Sequence, residues 1–154
     1  MSEQMERNKA IVRRYQEAYN SGNLDVLDEL LDPNWMTNAF PSAVLEQTIE
    51  NAKVVQRLLV EAFPDLHVTT EQLIAEDDYV VQLWTWRGTH KGDVVGLPAS
   101  GNQVVTGGMS LFKIEDGKIV RHIAFNDMMD LLSQIGADIP AEWLAFGHGA
   151  APAS

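Results

Sequence analysis

The hydrophobic period of this chain changes at Pro64, and that change limits the fold more than any other feature. Ahead of it, apolar residues recur at helical spacing; behind it, they alternate as in strands. Ile11, Val12, Tyr15, Ala18 and Tyr19 mark one face of a helix over about residues 3–20, and Ser21-Gly22 supplies its stop. Asn23 is placed to cap a short second helix bearing Leu24, Leu27, Leu30 and Leu31, which Asp32-Pro33 should close. Residues 35–40 read as a short strand, and a longer helix is expected over about 44–62, broken by Pro64. Segments 67–75, 79–90, 104–115 and 118–127 are strands rich in Val, Ile, Thr and aromatic residues. Glu76-Asp77-Asp78 and Glu115-Asp116-Gly117 are the turns between them, the second a tight hairpin. Residues 91–102, with three glycines and Pro98, form the long irregular connection, and Met128, Leu131, Leu132 and Ile135 define a last short helix ending at Gly136. Helices followed by a meander predict an α+β fold with the helices on one face of a curved antiparallel sheet. With no internal repeat, residues 1–140 read as a single domain and 141–154 as a tail expected to be partly disordered.

Composition removes several classes of function. The chain has no cysteine, so thiol nucleophiles, disulfides and cysteine-based metal sites are excluded. Its net charge of −11, with no basic cluster beyond Arg13-Arg14, argues against nucleic acid, because phosphate binding needs concentrated cations. No apolar run is long enough to span a bilayer and the N-terminus lacks a leader pattern, so a cytoplasmic protein without membrane contact is expected. His67, His90, His122 and His148 have no metal-ligand spacing. VVGLPASG is glycine-rich but precedes a strand rather than a helix, which disqualifies it as a phosphate loop.

The segments VRRYQEAYNSGNLDVLDELLDPNW, AFPDLH, WRGTHKGDVVGLPASG and DGKIVRHIAFNDMMDLLSQIG, in that order, resemble the SnoaL-like polyketide cyclases over about residues 9–136. The resemblance implies the cystatin-like cone shared with nuclear transport factor 2 and ketosteroid isomerase, in which a curved sheet wraps the N-terminal helices around one deep apolar pocket. It also implies a homodimer through the convex sheet face, a small apolar or polycyclic ligand, and ring closure by intramolecular aldol addition without a cofactor. In such cyclases the catalytic carboxyl group follows the strand histidine by two residues, which here is Ala124 after His122. The second polar partner falls at Ser110, and the base position of the isomerase relatives falls at Asn38.

Alternation places Val120, His122, Ala124 and Asn126 on one face of the last strand and Ile119, Ile123, Phe125 and Asp127 on the other. The resemblance assigns the first face to the pocket. His122 is then the candidate general acid or base, replacing the missing carboxylate, or a hydrogen-bonded wall residue. Asp127 is the nearest carboxylate; a one-residue bulge would turn it inward as a second catalytic candidate, and otherwise it caps the following helix. Tyr19, by comparison with the family, and Trp35, Asn38, His90, Ser110 and Asn126 are the candidate substrate-binding residues. Trp84 and Trp86 share a strand face and are positioned for stacking on a flat ligand or for core packing. Two alternatives to a cyclase stay open: a non-catalytic ligand-binding or assembly module of the same fold, and a relative that dehydrates, opens epoxides or assists hydroxylation.

Overall fold

A computed structural model describes residues 2–40 and 42–142. The expected tail, 141–154, lies almost wholly outside the described residues.

Helix α1 (Glu3–Ser21) begins at Ser2, whose hydroxyl accepts from the Met5 amide, and ends at Gly22 in the left-handed region, φ 77°. It is followed by a 3-10 turn (Leu24–Val26), the one-turn helix α2 (Leu27–Leu30) and strand β1 (Leu31–Thr37). Two sequence expectations change here. Asn23 makes no side-chain cap bond. Leu31 and Pro33, expected to finish a helix, belong to β1 instead. β1 is an edge strand running parallel to β5, and its register shifts between Leu31 and Met36, so the missing proline N–H costs the sheet nothing.

Helix α3 (Ile49–Ala62) starts at Thr48, later than its apolar pattern suggests, because the Thr48 hydroxyl accepts from the Asn51 amide and fixes the first turn there. Buried Lys53 ties α3 to α2 through Asp28 at 2.8 Å and also meets Glu50 of its own helix at 2.9 Å. Those two carboxylates push the pKa of its ammonium upward.

The antiparallel strands are β2 (His67–Glu76), β3 (Tyr79–Thr89), β4 (Gln103–Glu115) and β5 (Lys118–Asn126), closely matching the sequence reading. Sheet order is β1-β5-β4-β3-β2. The β4–β5 hairpin turns on Asp116 and Gly117, both with positive φ, which matches the right-handed strand twist. Helix α4 (Met128–Gln134) follows β5 and is itself followed by Gly136 at φ 93°.

A bulge decides which residues of β5 face inward. Ile114 pairs with Ile119 but Lys113 pairs with Arg121, leaving Val120 as the extra residue. Ile119 is therefore fully buried on the same side as His122, and not on the convex face as strict alternation implies. Inside the curve, Val12, Tyr15, Leu27, Leu30 and Leu31 pack against Val80, Phe112, Ile114 and Ile119 to fill one end. At the other end a smaller cluster joins Ala62, Phe63 and Val104 to Leu131 and Ile135. The space between them holds the site.

Candidate active site

The inner faces of β3, β4 and β5 carry Trp84, Ser110 and His122 toward α1 and α3. Two adjoining cavities lie there, about 400 Å³ and about 160 Å³. They share the walls Tyr15, Tyr19, Gln56, Leu59, Trp84, His122 and Ala124. The larger is bounded further by Trp35, Asn38, Asn126 and Met128; the smaller by Gln82, Trp86 and Ser110. A roomier cleft of about 550 Å³ opens on the outside between the 3-10 turn and α3, beside the charged Asp25, Arg57 and Glu61. The inner cavities are the better candidate, because they alone bring apolar walls to a buried imidazole.

His122 is 7% exposed, and its ring stacks on Phe112 with centroids 4.7 Å apart. Tyr15 and Trp35 complete the aromatic surround, with centroids at 5.5 Å and 6.4 Å. Burial pushes the His122 pKa down to about 4, so the imidazole is neutral at neutral pH. The sequence alone suggests titration near neutrality; desolvation by that aromatic shell is the physical reason for the difference.

Ser110 is the hub of the polar contacts. Its Oγ accepts from Trp84 Nε1 at 3.0 Å and lies 3.3 Å from His122 Nε2. Cross-strand pairing explains the meeting, since Ser110 lies opposite Ala124 and Phe112 opposite His122. Gly108 makes room for Trp84: a Cβ there would fall within 2.6 Å of the Phe125 carbonyl oxygen and inside the indole ring's contact distance.

This fold agrees with a comparison at the level of sequence families. A model of the SnoaL-like polyketide cyclases matches residues 9–135. The chain belongs to that family. Within the SnoaL-like family it is 29% identical over 136 residues to the aklanonic acid methyl ester cyclase DnrD of Streptomyces peucetius, covering 84% of this chain and 91% of that protein. Among solved structures, TsrD from Streptomyces laurentii superposes with a TM-score of 0.78 at 29% identity, covering 90% of this chain and 99% of the other. A SnoaL-like polyketide cyclase from Agrobacterium tumefaciens shares the fold at a TM-score of 0.70 and 21% identity, over 84% of this chain and 98% of that one.

Within this SnoaL-like frame the candidate residues separate. His122, Tyr19, Trp35, Asn38, Ser110 and Asn126 all line one or other cavity, whereas Asp127 and His90 line neither. Asp127 caps α4, its Oδ1 accepting from the Asp130 amide at 3.0 Å. His90 is fully buried, and its Nδ1 accepts from the Ser100 amide at 3.1 Å and meets the Ser100 hydroxyl at 2.9 Å. Asn38 spends its amide on the backbone of Ala124, donating to the carbonyl at 2.9 Å and accepting from the N–H at 2.7 Å. In effect its side chain prolongs the β1–β5 ladder past Thr37.

The rings of Tyr15 and Tyr19 lie with centroids 4.7 Å apart, and burial raises the pKa of both. Neither cavity wall carries an Asp, Glu, Lys or Arg. Among the described residues, no group of three or more His, Cys, Asp or Glu is placed to hold a metal ion. Likewise, no helix among them is long and apolar enough to cross a membrane. Sequence reasoning treats Trp84 as a stacking surface or as core, not as a hydrogen-bond donor, and does not single out Gly108 or Gln56. The signal for the first two was present: Gly107-Gly108 inside a strand opposite Trp84 marks a close approach.

Proposed function

We propose that this chain is a cofactor-independent enzyme that closes a ring by intramolecular aldol addition on a flat, apolar, carbonyl-bearing compound of polyketide type. One observation carries the reading: His122 is the only side chain in either cavity wall that ionises below the tyrosine range. In the aldol step a carbon next to a carbonyl loses its proton, its electron pair forms the new bond to the acceptor carbonyl carbon, and the acceptor oxygen takes up a proton. No atom is gained or lost. The substrate's own carbonyls spread the enolate charge, and His122 is the group that exchanges a proton in an otherwise neutral lining. The position of Ala124 two residues after His122, where the family resemblance puts a carboxyl group, makes the imidazole the remaining choice. DnrD, by its name, supports an ester-bearing polyketide as substrate class. Incubation with such a methyl ester should give cyclised product with the wild type and none above background with His122→Ala, circular dichroism showing the fold intact. Undiminished cyclisation by the variant sinks the His122 assignment.

The absence of any carboxylate from the lining also favours a second reading, a binding module of the same fold. It predicts saturable binding of the ester with no conversion on prolonged incubation.

The partner we propose for the convex face is a second copy of this chain. Ile74, Val81, Leu111 and Ile123 lie in register across four strands, and Leu83, Met109 and Phe125 form a neighbouring row. Phe125 is 68% exposed, and in a chain with 22 acidic residues neither row contains one. A self-complementary apolar face suits a two-fold dimer. Sedimentation equilibrium should give twice the chain mass, falling to one for Leu111→Lys; a wild-type monomer at all concentrations defeats this.

A further inference from the structure

Two side chains that line the larger cavity each carry a buried nitrogen with no hydrogen-bond partner, Trp35 Nε1 and His122 Nδ1. The residues are 2% and 7% exposed, and their rings lie nearly parallel at 15°. Indole Nε1 is always a donor; whether Nδ1 is one depends on the tautomer.

The Ser110 network sets that tautomer. Ser110 Oγ already accepts from Trp84 Nε1–H, so its own hydrogen needs an acceptor, and His122 Nε2 stands 3.3 Å away. With the imidazole hydrogen on Nε2 the serine oxygen would accept twice, and its hydrogen would find no acceptor among the described hydrogen bonds. With the hydrogen on Nδ1, Trp84 donates to Ser110 and Ser110 donates to Nε2, and every group in the row is satisfied. The price is a second orphaned donor beside that of Trp35. Two donors cannot satisfy each other. Their aromatic neighbours Phe112 and Tyr15 offer ring faces only weakly able to accept.

We infer that Trp35 Nε1–H and His122 Nδ1–H together form a two-donor site for a single ligand oxygen, the carbonyl or enolate oxygen of a flat apolar compound. Such an oxygen has two lone pairs and can accept both bonds at once. Buried donors left unpaired in a folded protein are costly and call for a functional account. A preorganised pair in a water-poor cavity is what stabilises negative charge developing on an acceptor oxygen. The inference rests on the aldol reading above and deepens it, because it assigns His122 to the oxygen side of the reaction. Trp84 is then a positioning residue, acting through Ser110, and Gly108 is the clearance that lets its indole lie down.

The test has two arms. In the first, long-range proton–nitrogen correlation on labelled, unliganded protein should show His122 with its hydrogen on Nδ1. Trp84→Phe, which keeps the ring and removes the donor, should convert it to a mixture. A wild-type Nε2–H tautomer, or one indifferent to Trp84→Phe, overturns the network. In the second arm, 9-fluorenone is compared with fluorene, a probe of the same shape without the oxygen. The expected result is about ten-fold tighter binding of fluorenone, a shift of the Trp35 Nε1–H resonance, and a several-fold loss of that preference in Trp35→Phe. Equal affinities overturn the donor pair alone. Failure of both probes to bind defeats the apolar-cavity reading and the pair with it, whatever the tautomer.

Discussion

His90 and His122 are alike in most local respects and differ in one. Both are buried, both meet a serine hydroxyl ten or twelve residues away in sequence, and both have one ring nitrogen without a partner. His90, however, also accepts a backbone N–H from Ser100 and stands where the chain folds back: its own carbonyl accepts from Gly101, and its amide donates to Asn102. Its work is to fasten the irregular connection 91–102, whose Lys91 and Gly92 amides in turn satisfy the last carbonyl of α3. The His122 imidazole, by contrast, meets only the Ser110 hydroxyl and no backbone group among the described hydrogen bonds. It stands in the wall shared by two cavities, with an aromatic shell in place of a backbone partner. Burial and a serine partner therefore do not separate the two histidines; the cavity beside His122 does.

The contrast can be broken most directly by activity. His122→Ala should lower turnover at least a hundred-fold, the usual range for loss of a proton-exchanging group. His90→Ala should leave turnover per folded molecule within a few-fold. Equal losses in a steady-state assay of the two purified variants would erase the distinction. In stability the order should reverse, with His90→Ala costing about 3 kcal/mol in urea unfolding through a cavity and a lost buried acceptor.

Acid provides a further test. The His122 pKa is lowered to about 4 in the folded state against an ordinary value of 6.5. The unfolded chain thus binds the proton first, and stability falls as pH drops from about 6.5 through 4. The expected difference is about 3 kcal/mol over that window. Comparing wild type with His122→Phe by denaturant titration at several pH values isolates it from the carboxylates; parallel curves would show that burial leaves the His122 pKa at its ordinary value.

The smallest effect belongs to the carboxylate once placed beside His122 as a candidate. Asp127→Ala should cost about 1 kcal/mol as a lost helix cap and change turnover little. A hundred-fold loss at unchanged stability would restore Asp127 to the chemistry.

The period change at Pro64 and the turn residues were enough to locate α1 and the four long strands to within a residue or two, because caps and alternation are local properties. Leu31 was misplaced for a non-local reason: pairing with Ile119 across the sheet outweighs the helical spacing of four leucines. The bulge at Val120 was equally out of reach, so Ile119 was assigned to the wrong face while His122, beyond it, was assigned correctly. In the site, alternation puts His122, Ala124 and Asn126 in one row, and the family resemblance turns that row inward. The link from Trp84 to Ser110 could not, since it depends on how far an indole reaches once Gly108 leaves the floor clear. Asn38 could be placed near the ligand, but not seen to have its amide engaged by Ala124.

The lining without a formal charge has a consequence for which molecules can enter. A free carboxylate carried into these cavities would leave its hydration shell and meet no arginine or lysine, a transfer costing several kcal/mol. The same molecule with that acid masked as an ester would lose far less. A lining of this kind therefore disfavours an ionised acid before shape is tested, and favours the same acid in a neutral form.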